Sequence, residues 1–142
     1  MAIDYFLILR GQRDADALRS GLLAQGMRAE GRILFGTYLS AALAAEPGQD
    51  PAILFRIDKF AEPDDVDREM FAHVAALLQR FSGDAVLSFE LETTVLARVA
   101  GSLHRGQSDD VWTEDSWRLA QDAFAARGMP FHPQPTDIEP RR

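Results

Sequence analysis

The sequence predicts an α+β fold, a two-layer sandwich whose mostly antiparallel sheet carries its helices on one face. Short runs of β-branched and aromatic residues alternate with stretches of helical periodicity. The order strand, helix, strand, strand occurs twice, giving βαββ-βαββ, and a C-terminal helix follows. Strands within a cycle are separated by turns, so both helices fall on the same face of one sheet.

Ile3-Asp4-Tyr5-Phe6-Leu7-Ile8-Leu9 is too short for a typical helix and reads as a buried strand. Asp14 or Asp16 opens a helix in which Ala17, Leu18, Leu22 and Leu23 recur at helical spacing, and Gly26 stops it. Ile33-Leu34-Phe35 and Tyr38-Leu39 follow, as a hairpin or one long strand bent near Gly36. The turn Glu46-Pro47-Gly48-Gln49-Asp50-Pro51 closes the first cycle.

Ala52 to Asp58 is the next strand. Pro63 suits a first helical position, and Asp64 and Asp65 complement the positive end of the helix dipole. Val66, Met70, Val74, Leu77, Leu78 and Phe81 then form one apolar stripe, ended by Ser82-Gly83-Asp84. Ala85–Glu90 and Thr94–Ala100 are strands joined by a turn around Glu92-Thr93, and Leu103–Arg105 is a short further strand. Thr113 caps the last helix; Trp112 before the cap and Trp117 four residues after it form a hydrophobic staple. Residues 1–128 are expected to make a single domain. Residues 129–142, with four prolines, make an extended tail from which Phe131 and Ile138 can dock.

The chain has 142 residues and no cysteine, which excludes a disulfide scaffold, a thiolate metal site and a cysteine nucleophile. No apolar run reaches the roughly 20 residues of a membrane span. Met1-Ala2-Ile3-Asp4 has an acid where a leader would be basic, so a cytoplasmic protein is expected. The net charge of -7 disfavours phosphate binding and suits a basic partner; neither nucleic acid nor membrane is expected as one.

Catalytic signals are scarce. Ser20 and Ser82 lie outside any Gly-x-Ser-x-Gly elbow, Lys59 is the only lysine, and no phosphate-binding glycine motif is present. Glu69 and His73, four apart, share a helix face, but two ligands fall short of a zinc site, and a boundary ion pair or a solvated pair explains them equally well. Glu90 and Glu92 share a strand face if the strand extends that far, where a solvent-facing edge is the simpler account. Arg56 and Asp58 alternate onto one face as a structural ion pair. The expectation is therefore no catalytic residue, no cofactor and no metal. A pocket on the open sheet face around Tyr38, Arg56, Glu90 and Arg98 would instead indicate a small-ligand-binding domain or enzyme.

The acids gather at two helix starts. Asp58, Glu62, Asp64, Asp65, Asp67 and Glu69 surround the second, and Asp109, Asp110, Glu114, Asp115 and Asp122 the last. Dipole complementation and solubility account for about half of them. If the clusters converge, the surface suits a basic protein. Candidate partner-binding residues are Asp64, Asp65, Asp109, Asp110, Trp112, Glu114 and Asp115.

From about Ala52 to Trp117 the chain resembles the Sit-type immunity proteins of bacterial polymorphic toxins. The resemblance is carried by Phe55-Arg56-Ile57-Asp58-Lys59, the helix through Val74-Ala75-Ala76-Leu77-Leu78, Gly83-Asp84-Ala85-Val86-Leu87, Val95-Leu96-Ala97-Arg98-Val99, and Leu103-His104-Arg105 followed by a tryptophan. It implies a cytosolic, non-catalytic protein that binds a cognate toxin, and it transfers no contact residue. Monomer or weak homodimer is the expected state.

Overall fold

The computed structural model describes residues 3–138. The elements in chain order are β1 (Ile3–Leu9), α1 (Ala15–Ala24), β2 (Arg28–Glu30), β3 (Ile33–Phe35), β4 (Leu39–Ala44), β5 (Ala52–Ile57), α2 (Pro63–Arg80), β6 (Ala85–Phe89), β7 (Thr93–Val99), β8 (Ser102–Arg105) and α3 (Glu114–Ala125), with one 3-10 turn at Asp109–Val111. The eight strands form one sheet in the order β2-β3-β4-β5-β1-β6-β7-β8, antiparallel throughout. The fold is α+β, and each cycle carries one strand more than the simple βαββ pattern.

β5 and β6 flank β1, pairing with it through Tyr5↔Phe55 and Tyr5↔Phe89. They run in the same direction, so α2 is the crossover of a split βαβ unit with β1 inserted. Alternation puts Leu7 and Leu9 of β1, Ile53 and Phe55 of β5, and Ala85 and Leu87 of β6 on one face. There they join Leu18 and Leu22 of α1, Met70, Val74 and Leu77 of α2, and Phe124 of α3 in a single core. Each of these larger side chains contributes about 1.5–3 kcal/mol on full burial.

Local signals set the helix ends. Asp14 accepts the Ala17 amide at 3.2 Å as the α1 N-cap. At the other end of α2, Arg98 on β7 donates to the carbonyl oxygens of Leu78, Phe81 and Gly83, giving the last-turn acceptors a cationic partner. Thr113 and Ser116 make a reciprocal capping box on α3, and Trp112 meets Trp117 with ring centroids 5.3 Å apart, completing the staple.

The strand β2 is a finding that the residue pattern does not carry: Arg28, Ala29 and Glu30 are all exposed. Ile33–Phe35 and Leu39–Ala44 form a hairpin, not one bent strand. β6 stops at Phe89, and Glu90 and Leu91 (φ 52° and 60°) make the turn, so Glu90 and Glu92 do not share a strand face. Arg56 pairs with Asp4 at 3.0 Å across β1 and β5, not with Asp58, whose carboxylate accepts the Phe60 amide at 2.9 Å.

Residues 131–136 run beside β8 in parallel, with the His132 amide on Leu103 O at 2.7 Å and the Thr136 amide on Arg105 O at 2.8 Å. Phe131 packs on Trp117 and Phe124 (centroids 4.7 and 5.3 Å), and the carbonyl of Ile138 accepts the Thr94 hydroxyl. The rest of the expected tail, 139–142, lies outside the described residues. Gly106 permits the close approach here, since a Cβ at that position would come within 2.0 Å of Thr94 O.

Candidate partner-binding face

Trp112, just before α3, stacks on Phe71 in the middle of α2, and Arg127, just after α3, donates to Gln79 Oε1 at 2.7 Å in the last turn of α2. The two helices therefore run in the same direction, so both acidic N-termini point the same way, with the start of α3 level with the middle of α2, about 12 Å along from the α2 start. Asp64 and Asp65 occupy the first turn of α2, Glu114 and Asp115 the first turn of α3, and Asp109 and Asp110 the 3-10 turn before it. Two of these acids have local partners: Asp65 meets Arg68 at 3.2 Å and Asp115 meets Arg118 at 3.3 Å. Both pairs are exposed and contribute little to stability, and Asp64, Asp109, Asp110 and Glu114 make no ion pair among the described residues.

Trp112 has a different position from the acids around it. It is half-buried, with Phe71 stacked on it at 5.7 Å and 11° and Trp117 edge-on to it, so its rings serve packing. The exposed aromatic at this end is Phe60, 89% accessible, in the turn between β5 and α2. Lys59 Nζ lies 5.3 Å from its ring centroid, a cation–π contact. A phenylalanine inside Asp58-Lys59-Phe60-Ala61-Glu62, directly before a helix-starting proline, is the sequence signal that would have found it.

Behind this turn lies a cavity of about 240 Å³ lined by Ile3, Tyr5, Ile57, Asp58, Lys59, Ala61, Pro63, Val66 and Asp67. Burial, reinforced by the negative charge of Asp64, pushes the Asp67 carboxyl up to about 6. Burial and then Asp67 push the Tyr5 phenol up to about 12. Tyr5 is held by β1 and by an edge contact with Phe89 at 5.4 Å, and Asp67 projects from the first turns of α2.

The remaining candidates are dispersed. Glu69 spends both carboxylate oxygens on the turn between β3 and β4, accepting the Thr37 and Tyr38 amides at 2.9 Å each. A Cβ on Gly36 would sit 2.6 Å from Glu69 Oε1, so the turn closes on the carboxylate only because that position is glycine. His73 is buried with Nδ1 unpartnered among the described residues, and burial lowers its pKa against the opposing pull of Glu69. No group of three or more His, Cys, Asp or Glu positioned for a metal ion occurs among the described residues. Tyr38, Arg56, Glu90 and Arg98 do not converge. Arg98 turns toward α2 while Arg56 lies on the opposite sheet face with Asp4, and Glu90 is in a turn. A larger cavity, about 680 Å³, lies beside Arg98, Asp84 and Met129. There Arg98 is spent on helix carbonyls and Asp84 accepts the Ala100 amide at 3.0 Å.

The family model described as SitI3-like matches residues 37–116, more than half of the chain. The chain belongs to the SitI3-like family. The SitI3-like span opens at Thr37, whose amide Glu69 holds, and closes at Ser116, the partner of Thr113 in the α3 capping box. It contains Phe60, Asp67, all of α2 and the acids from Asp58 to Asp115. No curated protein and no solved structure matches the chain. No helix among the described residues is long and apolar enough to cross a membrane.

Proposed function

We propose that this SitI3-like chain is an immunity protein that binds a cognate toxin in the cytoplasm and neutralises it by covering it, without catalysis of its own. The observation that carries this reading is the shared direction of α2 and α3. Both acidic helix starts point the same way along the helical layer, the second level with the middle of α2, and Phe60 is exposed beside the first. Apolar anchors ringed by charge are the usual anatomy of a tight protein interface, and a negative surface speeds encounter with a positive partner. The residues offered for contact are Asp64, Asp65, Asp109, Asp110, Glu114 and Asp115, with Phe60 added; Trp112 supports them from beneath.

The test is co-production with the protein encoded by the adjacent gene. A stoichiometric complex on size exclusion, with survival of cells that otherwise die when that protein is expressed, is the expected result. Asp64→Lys with Asp65→Lys, and separately Asp109→Lys with Asp110→Lys, should each slow association about tenfold or more at low salt and less at high salt. Neither complex nor protection would overturn the reading.

A further inference from the structure

We infer that the cavity between the first turns of α2 and the ends of β1 and β5 receives one cationic side chain, an arginine or lysine, presented by a protein partner. The inference deepens the proposed function and rests on it for the partner's role, whereas the chemistry of the pocket rests on its own geometry.

Size comes first. A cavity of about 240 Å³ is below the range of about 300–1,000 Å³ usual for metabolite sites and suits a single side chain. Its lining is the second point: Ile3, Ile57, Pro63 and Val66 form an apolar wall for a methylene stem, Tyr5, Asp58 and Asp67 contribute polar groups, and Lys59 also lines it, so that the two carboxylates outnumber the one cation. The third is valence. Among the described residues the Asp67 carboxylate has neither a hydrogen bond nor an ion pair, and the Tyr5 hydroxyl has no hydrogen bond. Lys59, the cation in the lining, places its ammonium over the Phe60 ring and makes no ion pair among the described residues.

A part-buried carboxylate without a counter-charge burdens the fold. A guanidinium or ammonium entering the cavity relieves that burden, with Asp67 taking its charge and the Tyr5 ring or hydroxyl taking its remaining face or proton. Phe60, outside the mouth, adds apolar contact with the partner surface around that side chain, and Asp58, Glu62, Asp64 and Asp65 draw it in.

Binding is then linked to protons. The charged or titratable groups about Asp67 are Asp64 on its own helix, Asp58 and Lys59 on the preceding turn, and Tyr5 on β1. Because the free carboxyl is raised to about 6, a bound cation lowers its titration midpoint and releases a proton near that pH.

The experiment titrates the full chain with methylguanidinium and, separately, n-butylammonium in 0.15 M NaCl, following backbone amides and the Asp67 carboxyl carbon by NMR. Saturable shifts at Tyr5, Ile57, Val66 and Asp67, with a lowered Asp67 midpoint, are expected. Asp67→Asn should abolish them, whereas Glu30→Gln, which removes the same charge from an exposed pair with Arg28, should leave them intact. Shifts that persist in Asp67→Asn, or that spread evenly over the acidic surface, would overturn the inference. A second arm measures both variants against the adjacent gene's product, where Asp67→Asn should bind at least tenfold more weakly than Glu30→Gln and lose the decline in affinity below pH 6. Equal binding of the two overturns the pocket and leaves the proposed function standing. Cation binding in the cavity with no partner complex overturns the proposed function and leaves the pocket standing.

Discussion

The indole of Trp112 lies on the ring of Phe71 with centroids 5.7 Å apart and planes 11° from parallel. This stack ties the approach to α3 against the middle of α2 and fixes which end of each helix faces the same way. Trp112→Ala is expected to cost about 3 kcal/mol of unfolding free energy, as large-to-small changes at packed sites do. A double-mutant cycle with Phe71→Leu should return a coupling of about 0.5–1.5 kcal/mol. Urea denaturation followed by circular dichroism measures both. A Trp112→Ala variant of undiminished stability would remove the stack from the account of how the helices are aligned.

Glu69 holds two backbone amides of the turn between β3 and β4. Glu69→Gln keeps one oxygen acceptor and sets an amide NH₂ against the second donor. The expected loss is about 2 kcal/mol, from charge-assisted hydrogen bonds. Amide exchange at Thr37 and Tyr38 should accelerate selectively; acceleration spread evenly over the sheet would count against a local clamp.

Glu90 and Leu91 both have positive φ in the turn between β6 and β7. The left-handed region costs ordinary residues about 1 kcal/mol or more each, and asparagine–glycine is the pair such two-residue turns prefer. Glu90→Asn with Leu91→Gly is therefore expected to raise the unfolding free energy by about 1 kcal/mol despite the entropy that glycine adds to the unfolded chain. Thermal melts decide it, and a lower midpoint would show the turn to be unstrained.

The pH dependence of stability divides between two groups of opposite sign. Asp67 titrates at about 6 in the folded chain, above the roughly 3.9 of a free aspartate. Its stabilising contribution is complete below pH 4 and disappears as pH rises through 6. Asp67→Asn imitates the protonated form, so its melting temperature should exceed wild type at pH 8 and equal it at pH 4. His73 acts the other way, because burial keeps it neutral and stability falls as pH drops below the roughly 6.5 of a free histidine. His73→Gln should flatten that part of the profile. An Asp67→Asn advantage that is the same at both pH values would mean that the carboxylate charge is not its cause.

Much of the architecture could be read along the chain because its causes are local. The apolar stripe from Val66 to Phe81, the Thr113 cap and the Trp112–Trp117 staple each lie within one element and its flank. β2 escaped because Arg28-Ala29-Glu30 has no buried face to impose alternation; its pairing with β3 comes from the hairpin alone. The two acidic clusters were visible as composition. Their shared direction depends on Phe71 meeting Trp112 and Gln79 meeting Arg127, which are tertiary contacts. The same holds for Tyr5 and Asp67, on β1 and α2, which no spacing rule connects.

The central place of β1 also bears on how the chain is made. Ile3–Leu9 is synthesised before either neighbour, and its two ladders wait for Ala52–Ile57 and then Ala85–Phe89. Until β6 has left the ribosome, this strongly apolar strand has an unpaired margin, and such non-local closure is slow and open to self-association. Shortened products ending before Ala85 should collect in inclusion bodies, and this chain should depend on chaperones early in translation more than on any step after its release.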